Sequence, residues 1–135
     1  MMTFLKHRAA LLHIESQMVE CSIQKYTWME INDKDAQKFY QEQINEWAFK
    51  KENYLNRLLV SLTKTEITTH NIMEIKKCYE LVEAYSKNHY SQLFKTHLNR
   101  TIENHQKKYG DFLLSNQLKK AVEVEQLIMN LERIA

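Results

Sequence analysis

The fold is decided by residues 71–109, which read NIMEIKKCYELVEAYSKNHYSQLFKTHLNRTIENHQKKY. This stretch contains neither proline nor glycine, and its first two thirds carry apolar residues at helical spacing, so we predict one long central helix. Gly110, the only glycine in the chain, is predicted to end that helix in a left-handed cap. The rest of an all-α chain is expected to pack around it.

The apolar stripe of this central helix changes direction near its middle. Val82, Tyr85, His89 and Leu93 share one face, after which the stripe moves round the helix by roughly a quarter turn. A straight helix with one neighbour does not show this change. We therefore expect a bend near residues 86–88, or different neighbours along the two halves.

The first predicted helix covers residues 4–29 and carries two parallel apolar rows. The members of the rows recur every seven residues: Phe4, Leu11 and Met18 in one row, and Leu5, Leu12, Val19 and Tyr26 in the other. We expect each row to contact a different neighbour. Arg8 lies between the rows, where it either keeps its charged head in water or binds a buried anion or polar headgroup.

The second predicted helix covers residues 36–62, with Asp33 or Asp35 as its amino-terminal cap. Its aromatic stripe either packs in the core or lines a ligand site. Two capping-box patterns follow, Thr63 with Glu66 and Asn71 with Glu74, and they predict a short helical turn before the central helix.

The last predicted helix is capped by Asp111 and carries a heptad seam suited to a partner helix or a second subunit. The seam contains Leu114, Ala121 and Ile128. The prediction is a single domain over residues 1–135, with four main helices plus short elements. It is either globin-like or an antiparallel four-helix bundle.

Composition argues against several kinds of partner and location. Nineteen basic and seventeen acidic residues give a formal charge of +2, too weak for a surface that neutralises nucleic-acid phosphates. Cys21 and Cys78 form no disulfide or zinc pattern. Without a cleavage site or a run of ~20 apolar residues, we expect a cytoplasmic protein with no membrane span.

The sequence contains no recognisable catalytic motif, so we predict that the chain is not an enzyme. One glycine cannot build a phosphate-cradling loop or a strained nucleophile elbow. The six histidines show neither Glu-x-x-His pairs nor an HExxH pattern. His89, His97 and His105 recur every eight residues, which turns each about 80° from the last. We therefore expect no metal site.

His89 is the histidine that falls on the apolar stripe. It is either a hydrogen-bonded core residue or a ligand contact that holds a carboxylate or a halide at the end of an apolar pocket. Tyr85, one turn earlier, could add its hydroxyl group to such a site.

Two stretches carry a resemblance to known families. QINEWAFKKENYLNRLLVSL (residues 43–62) and KKYGDFLLSNQLKKAVEVEQLIMNLERI (residues 107–134) resemble the amino-terminal sensor domains of stressosome proteins. They also resemble stand-alone sporulation-inhibitory proteins related to the sensor domain of a sporulation histidine kinase. The resemblance implies a non-haem globin fold, often dimeric, that binds a fatty acid in an apolar tunnel with a halide nearby.

On this basis we predict a non-catalytic sensor that sequesters a small apolar ligand or a signalling partner, and acts as a homodimer in sporulation or stress signalling. The stripes supply the candidate walls of the ligand site: Trp47, Tyr54, Leu58, Val82, Tyr85, His89 and Leu93. Arg8 or His89 is the candidate anion-binding stop. His70 stands near the position of a proximal haem ligand, but its neighbours are polar, so no haem is expected.

A second hypothesis is a four-helix adaptor or chaperone that binds an amphipathic helix of a partner protein. The heptad seam of the last helix motivates it, because an exposed row of this kind fits a partner helix.

Overall fold

The computed structural model describes residues 4–86 and 92–134, which form five α-helices. The helices are α1 (Phe4–Glu30), α2 (Lys34–Lys64), α3 (Ile72–Tyr85), α4 (Leu93–Leu114) and α5 (Leu118–Ile134). No strand occurs among these described residues, and the all-α prediction is confirmed. Within the same residues, no helix is both long and apolar enough to cross a bilayer.

The chain divides into two compact units, unit 1 (Met1–Leu59) and unit 2 (Val60–Ala135). Most of α2 belongs to unit 1, and its last residues belong to unit 2. The single domain remains a prediction.

Unit 1 is a hairpin of two antiparallel helices. The turn between them places Asn32 at a φ of 62°, in the left-handed region that asparagine tolerates. The backbone N–H of Ala36 then donates to Asp33 Oδ1 at 3.0 Å, so the predicted Asp33 cap is confirmed. The antiparallel direction follows from two contacts: Nδ1 of His7 lies 2.7 Å from the Tyr54 hydroxyl, and Lys25 Nζ donates to Gln41 Oε1 at 2.6 Å nearer the turn.

A third link joins the two helices of the hairpin. Lys51 Nζ of α2 lies 2.5 Å from a carboxylate oxygen of Glu15 on α1, and the two side chains form an ion pair. Leu11 and Ile14 on the same side of α1 are buried, as are Leu55 and Leu58 on α2. The first predicted apolar row of α1 therefore lies on a buried face.

The predicted central helix is two helices, and the prediction of one continuous helix is wrong. α3 ends at Tyr85, and Ser86 has an extended backbone with φ −95° and ψ 146°. That conformation directs the chain out of the helical hydrogen-bond ladder. His89 and the rest of residues 87–91 lie outside the described residues, and α4 begins at Leu93.

Asn116, rather than Gly110, supplies the left-handed cap of α4. Gly110 lies inside the helix, has no positive φ, and is followed by helix as far as Leu114. Asn116 has a φ of 61°, and Gln117 donates its backbone N–H to the carbonyl of Phe112 at 2.8 Å. This is the Schellman motif, in which the residue with left-handed geometry is usually glycine. Since α5 begins at Leu118, Asp111 does not cap it.

The connection between α2 and α3 is a loop tied by Asn71. The backbone N–H of Thr68 donates to Asn71 Oδ1 at 2.7 Å, and Asn71 Nδ2 donates to the carbonyl of Glu66 at 2.8 Å. In place of the predicted short helix, this segment has a hydrogen-bonded turn in which the N–H groups of Asn71 and Ile72 donate to the carbonyl of Thr68, and the Asn71 side chain does not cap α3. Its hydrogen bonds are used inside the loop, which they fold back on itself.

The predicted seam of the last helix is covered over part of its length. Ala121 is 2% exposed, whereas Leu114 belongs to the end of α4 and is 90% exposed. α5 packs against α3 and α4 within unit 2. Because Ala121 is buried, these residues do not form one exposed row.

Candidate functional site

A cleft of about 480 Å³ lies within unit 2, between one face of α4 and the end of α2 with the loop that follows it. Its lining residues are Thr63, Lys64, Thr65, Glu66, His97, Arg100, Thr101, Asn104, His105 and Lys108. We call it the basic cleft. The six lining residues from α4 recur at intervals of three, one, three, one and three, so they form a single helical face.

His97 is fixed at one side of the basic cleft. Its Nδ1 lies 2.8 Å from the hydroxyl of Tyr79 on α3, and its ring also hydrogen-bonds the backbone of Thr65 in the loop. Burial lowers the pKa of His97 and nearby Arg100 lowers it further, while the Thr65 hydrogen bond acts in the opposite direction. Because of these contacts, His97 holds the loop and α3 against α4.

His105 lines the basic cleft two turns further along α4 and is only 7% exposed. Among the residues that the structure describes, none forms a hydrogen bond with its ring. Burial lowers the pKa of His105, Lys108 lowers it further, and Glu66 opposes both. Because the ring of His105 lines the cleft, a ligand bound there can hydrogen-bond to it.

The charged residues of the basic cleft give it an excess of positive charge. Lys64, Arg100 and Lys108 are three cations against the one carboxylate of Glu66. The three cations are exposed at the rim, and His105 is buried. Guanidinium and ammonium groups beside a desolvated imidazole suit a carboxylate or a phosphate group.

Nucleophilic chemistry is not supported at the cysteine of unit 2. Burial, followed by the negative charge of Glu74, raises the pKa of the Cys78 thiol to about 11. The reactive thiolate is therefore scarce near neutral pH. Within residues 4–86 and 92–134, no group of three His, Cys, Asp or Glu side chains is placed to hold a metal ion. The basic cleft offers groups that bind, and the absence of enzyme activity stays a prediction.

The sequence-predicted wall residues lie elsewhere. Trp47, Tyr54 and Leu58 are on α2 in unit 1, Val82 and Tyr85 are on α3, and Leu93 begins α4. None of them lines the basic cleft.

The two predicted anion-binding residues do not meet in a described site. Arg8 is exposed on α1, and His89 lies outside the described residues. His70, considered as a haem ligand, is exposed in the loop before α3. The three cations of the basic cleft, Lys64, Arg100 and Lys108, are not among the residues predicted from the sequence to bind an anion.

One signal could have pointed to the basic cleft. His97 and His105 have the wrong spacing for a metal site, but Arg100, Thr101 and Lys108 lie on the same helical face. The loop side of the cleft had no such signal, because the path of the loop depends on Asn71 and His97.

No family model, no curated protein and no solved structure matches this chain. The function is therefore argued from the geometry of the described residues.

Proposed function

We propose that this chain is a non-catalytic, ligand-sensing domain that binds a small anion, of the carboxylate or phosphate class, in the basic cleft of unit 2. The observation that carries the proposal is His105, a buried side chain that faces a cleft rimmed by Lys64, Arg100 and Lys108. A ligand oxygen placed there accepts hydrogen bonds from cationic groups and completes the environment of the imidazole.

Three features support binding rather than a purely structural role for the cleft. His97 has partners on two other segments, whereas His105 has no hydrogen-bond partner among the described residues. Among the charged lining residues cations outnumber carboxylates, and the hydroxyl of Thr101 lies in the same wall. The cleft is also bounded by a loop, so ligand binding can alter how that loop holds α3 and α4 together.

The fatty acid suggested by the resemblance is a narrower version of this ligand, because its head is a carboxylate. Its chain needs an apolar tunnel, and no aliphatic or large aromatic side chain is among the lining residues of the basic cleft. The globin-like arrangement, the homodimer, the cytoplasmic location and the role in sporulation or stress signalling have the resemblance as their main support and remain predictions. The adaptor hypothesis was based on an exposed heptad row in the last helix. That row is not exposed along its length, because Ala121 is buried.

Isothermal titration calorimetry at low ionic strength tests the proposal with phosphate, acetate and octanoate as separate probes, because salt screens weak anion sites. We expect Arg100→Gln to weaken phosphate or acetate binding about 10-fold or more, since a charge-assisted hydrogen bond is lost. Arg133→Gln is the matched control, because Arg133 is an exposed arginine of unit 2 outside the cleft.

The three probes separate the ligand classes. Binding of phosphate and acetate, with no gain for octanoate, supports a small-anion site. Octanoate binding much tighter than acetate supports a fatty acid. No binding of any probe, or equal losses in Arg100→Gln and Arg133→Gln, contradicts the proposal.

A further inference from the structure

α1 carries a second apolar row on its exposed side, which we call the α1 seam. It follows a coiled-coil pattern, in which successive members are four and then three residues apart. One set of positions holds Leu5, Leu12, Val19 and Tyr26, and the alternate set holds Ala9, Ser16, Ile23 and Glu30. All eight positions are exposed. Tyr26 is 66% exposed and Leu5 71%, far above the usual state of large apolar residues.

The α1 seam is separate from the face of α1 that is buried. At 100° per residue, its centre lies roughly 140° round the helix from Leu11 and Ile14. α1 is therefore apolar on two sides, and one of them is exposed over nearly the full helix. A monomer that exposes an apolar row of this length usually reserves it for association.

The charges beside the α1 seam differ between its two halves. Lys6 and Arg8 flank the amino-terminal half, and Glu20 and Glu30 lie in or beside the carboxy-terminal half. These four side chains are exposed, whereas Glu15, near the middle of the seam, is ion-paired with α2. A second copy that runs antiparallel places basic halves on acidic halves, whereas a parallel copy places like charges together.

The side chains of the α1 seam also fit an antiparallel copy. With the twofold axis midway along the seam, Ala9 faces Tyr26 of the second copy, Leu12 faces Ile23, and Ser16 faces Val19. Two of these layers put a small residue opposite a larger one, which helps side chains of two helices interdigitate. The end layer places Glu30 of one copy opposite Leu5 of the other, with Lys6 beside it.

We propose that the α1 seam is the interface of a homodimer, in which the α1 helices of two copies pack antiparallel. The interface is isologous, since each helix contributes both its basic and its acidic half. It involves unit 1 alone and does not depend on anion binding in unit 2.

Sedimentation equilibrium of the full chain over a wide concentration range tests this interface. We expect a reversible dimer, and Leu12→Glu should weaken it at least 10-fold by placing a carboxylate in an apolar layer. Val122→Glu is the matched control, because Val122 is 63% exposed on α5 and lies outside the seam. Circular dichroism checks that both variants keep their helices.

A charge exchange tests the antiparallel direction. Lys6→Glu and Glu30→Lys should each weaken the dimer, and the double variant should recover it because opposite charges again meet at both ends. A wild-type chain that stays monomeric overturns the proposal and leaves the seam to another partner. A dimer unaffected by Leu12→Glu, or a double variant weaker than both single variants, also overturns it.

Discussion

The hydroxyl of Tyr79 and Nδ1 of His97 lie 2.8 Å apart, and this contact joins α3 to the helix that forms one wall of the basic cleft. Tyr79 is 3% exposed, and burial raises its pKa to about 12, so the neutral hydroxyl persists across the physiological range. The residues that line the cleft on α4 are thus positioned by a contact between one of them, His97, and Tyr79, which is not a lining residue.

Removing that hydroxyl should destabilise unit 2. Tyr79→Phe leaves one nitrogen of His97 without its partner in a half-buried position, and we expect a loss of about 0.5–1.5 kcal/mol in the free energy of unfolding. Urea denaturation measures it. Tyr40→Phe is the control, since the Tyr40 hydroxyl on α2 has no hydrogen-bond partner among the described residues. Equal losses in the free energy of unfolding for the two substitutions would mean that the Tyr79–His97 hydrogen bond does not stabilise unit 2.

The free energy of unfolding should increase as the pH rises through 6.5, the ordinary pKa of histidine. Burial lowers the pKa of both His97 and His105 from 6.5, so below that value the unfolded chain takes up protons that the folded chain resists. Unfolding is therefore favoured as the pH falls below 6.5, and the folded state regains stability as the pH rises through it. Urea midpoints at about pH 5.5 and about pH 7.5 measure the difference.

The control for the pH effect is the double variant His97→Gln with His105→Gln. It removes both titrating rings, so its urea midpoint should change less between the two pH values. A pH dependence as steep as that of the wild-type chain would contradict the assignment to these histidines.

Gly110→Ala should stabilise the protein. An added Cβ meets no atom within 4 Å, and Gly110 has helical rather than left-handed geometry. Alanine in a helix interior is favoured over glycine by about 0.5–1 kcal/mol, so the melting temperature should increase. A glycine that capped the helix would give the opposite result, and a decrease would restore the cap predicted from the sequence.

Local sequence signals predicted the hairpin of unit 1 well. The heptad rows placed the first helix at residues 4–29, within one residue of α1, and Asp33 caps α2 as expected. Both features depend on residues close together in the chain. Helix periodicity and capping chemistry are therefore enough to predict them.

The change in direction of the apolar stripe predicts a bend near residues 86–88, but it does not predict that α3 ends at Tyr85. No proline or glycine marks Ser86, and Gly110, which was predicted to end the helix, lies inside α4. Asn116 takes the left-handed role instead, in a position where asparagine is the usual substitute for glycine. Composition alone does not choose between these two residues.

The basic cleft was also beyond local signals. It combines the end of α2 and the following loop with α4, whose lining residues begin more than 30 positions later. Asn71 folds the loop, and the His97 contacts with Tyr79 and Thr65 hold it, so the site depends on contacts distant in sequence. A single sequence does not reveal such contacts.

The most direct test of anion binding is the titration of the His105 ring, followed by ¹H–¹⁵N NMR with and without saturating phosphate. A bound anion favours the charged imidazolium. Phosphate should therefore raise the pKa of His105, and Arg100→Gln should reduce this increase. A pKa of His105 that does not change with phosphate would contradict the account. So would a phosphate response of equal size at the exposed ring of His70.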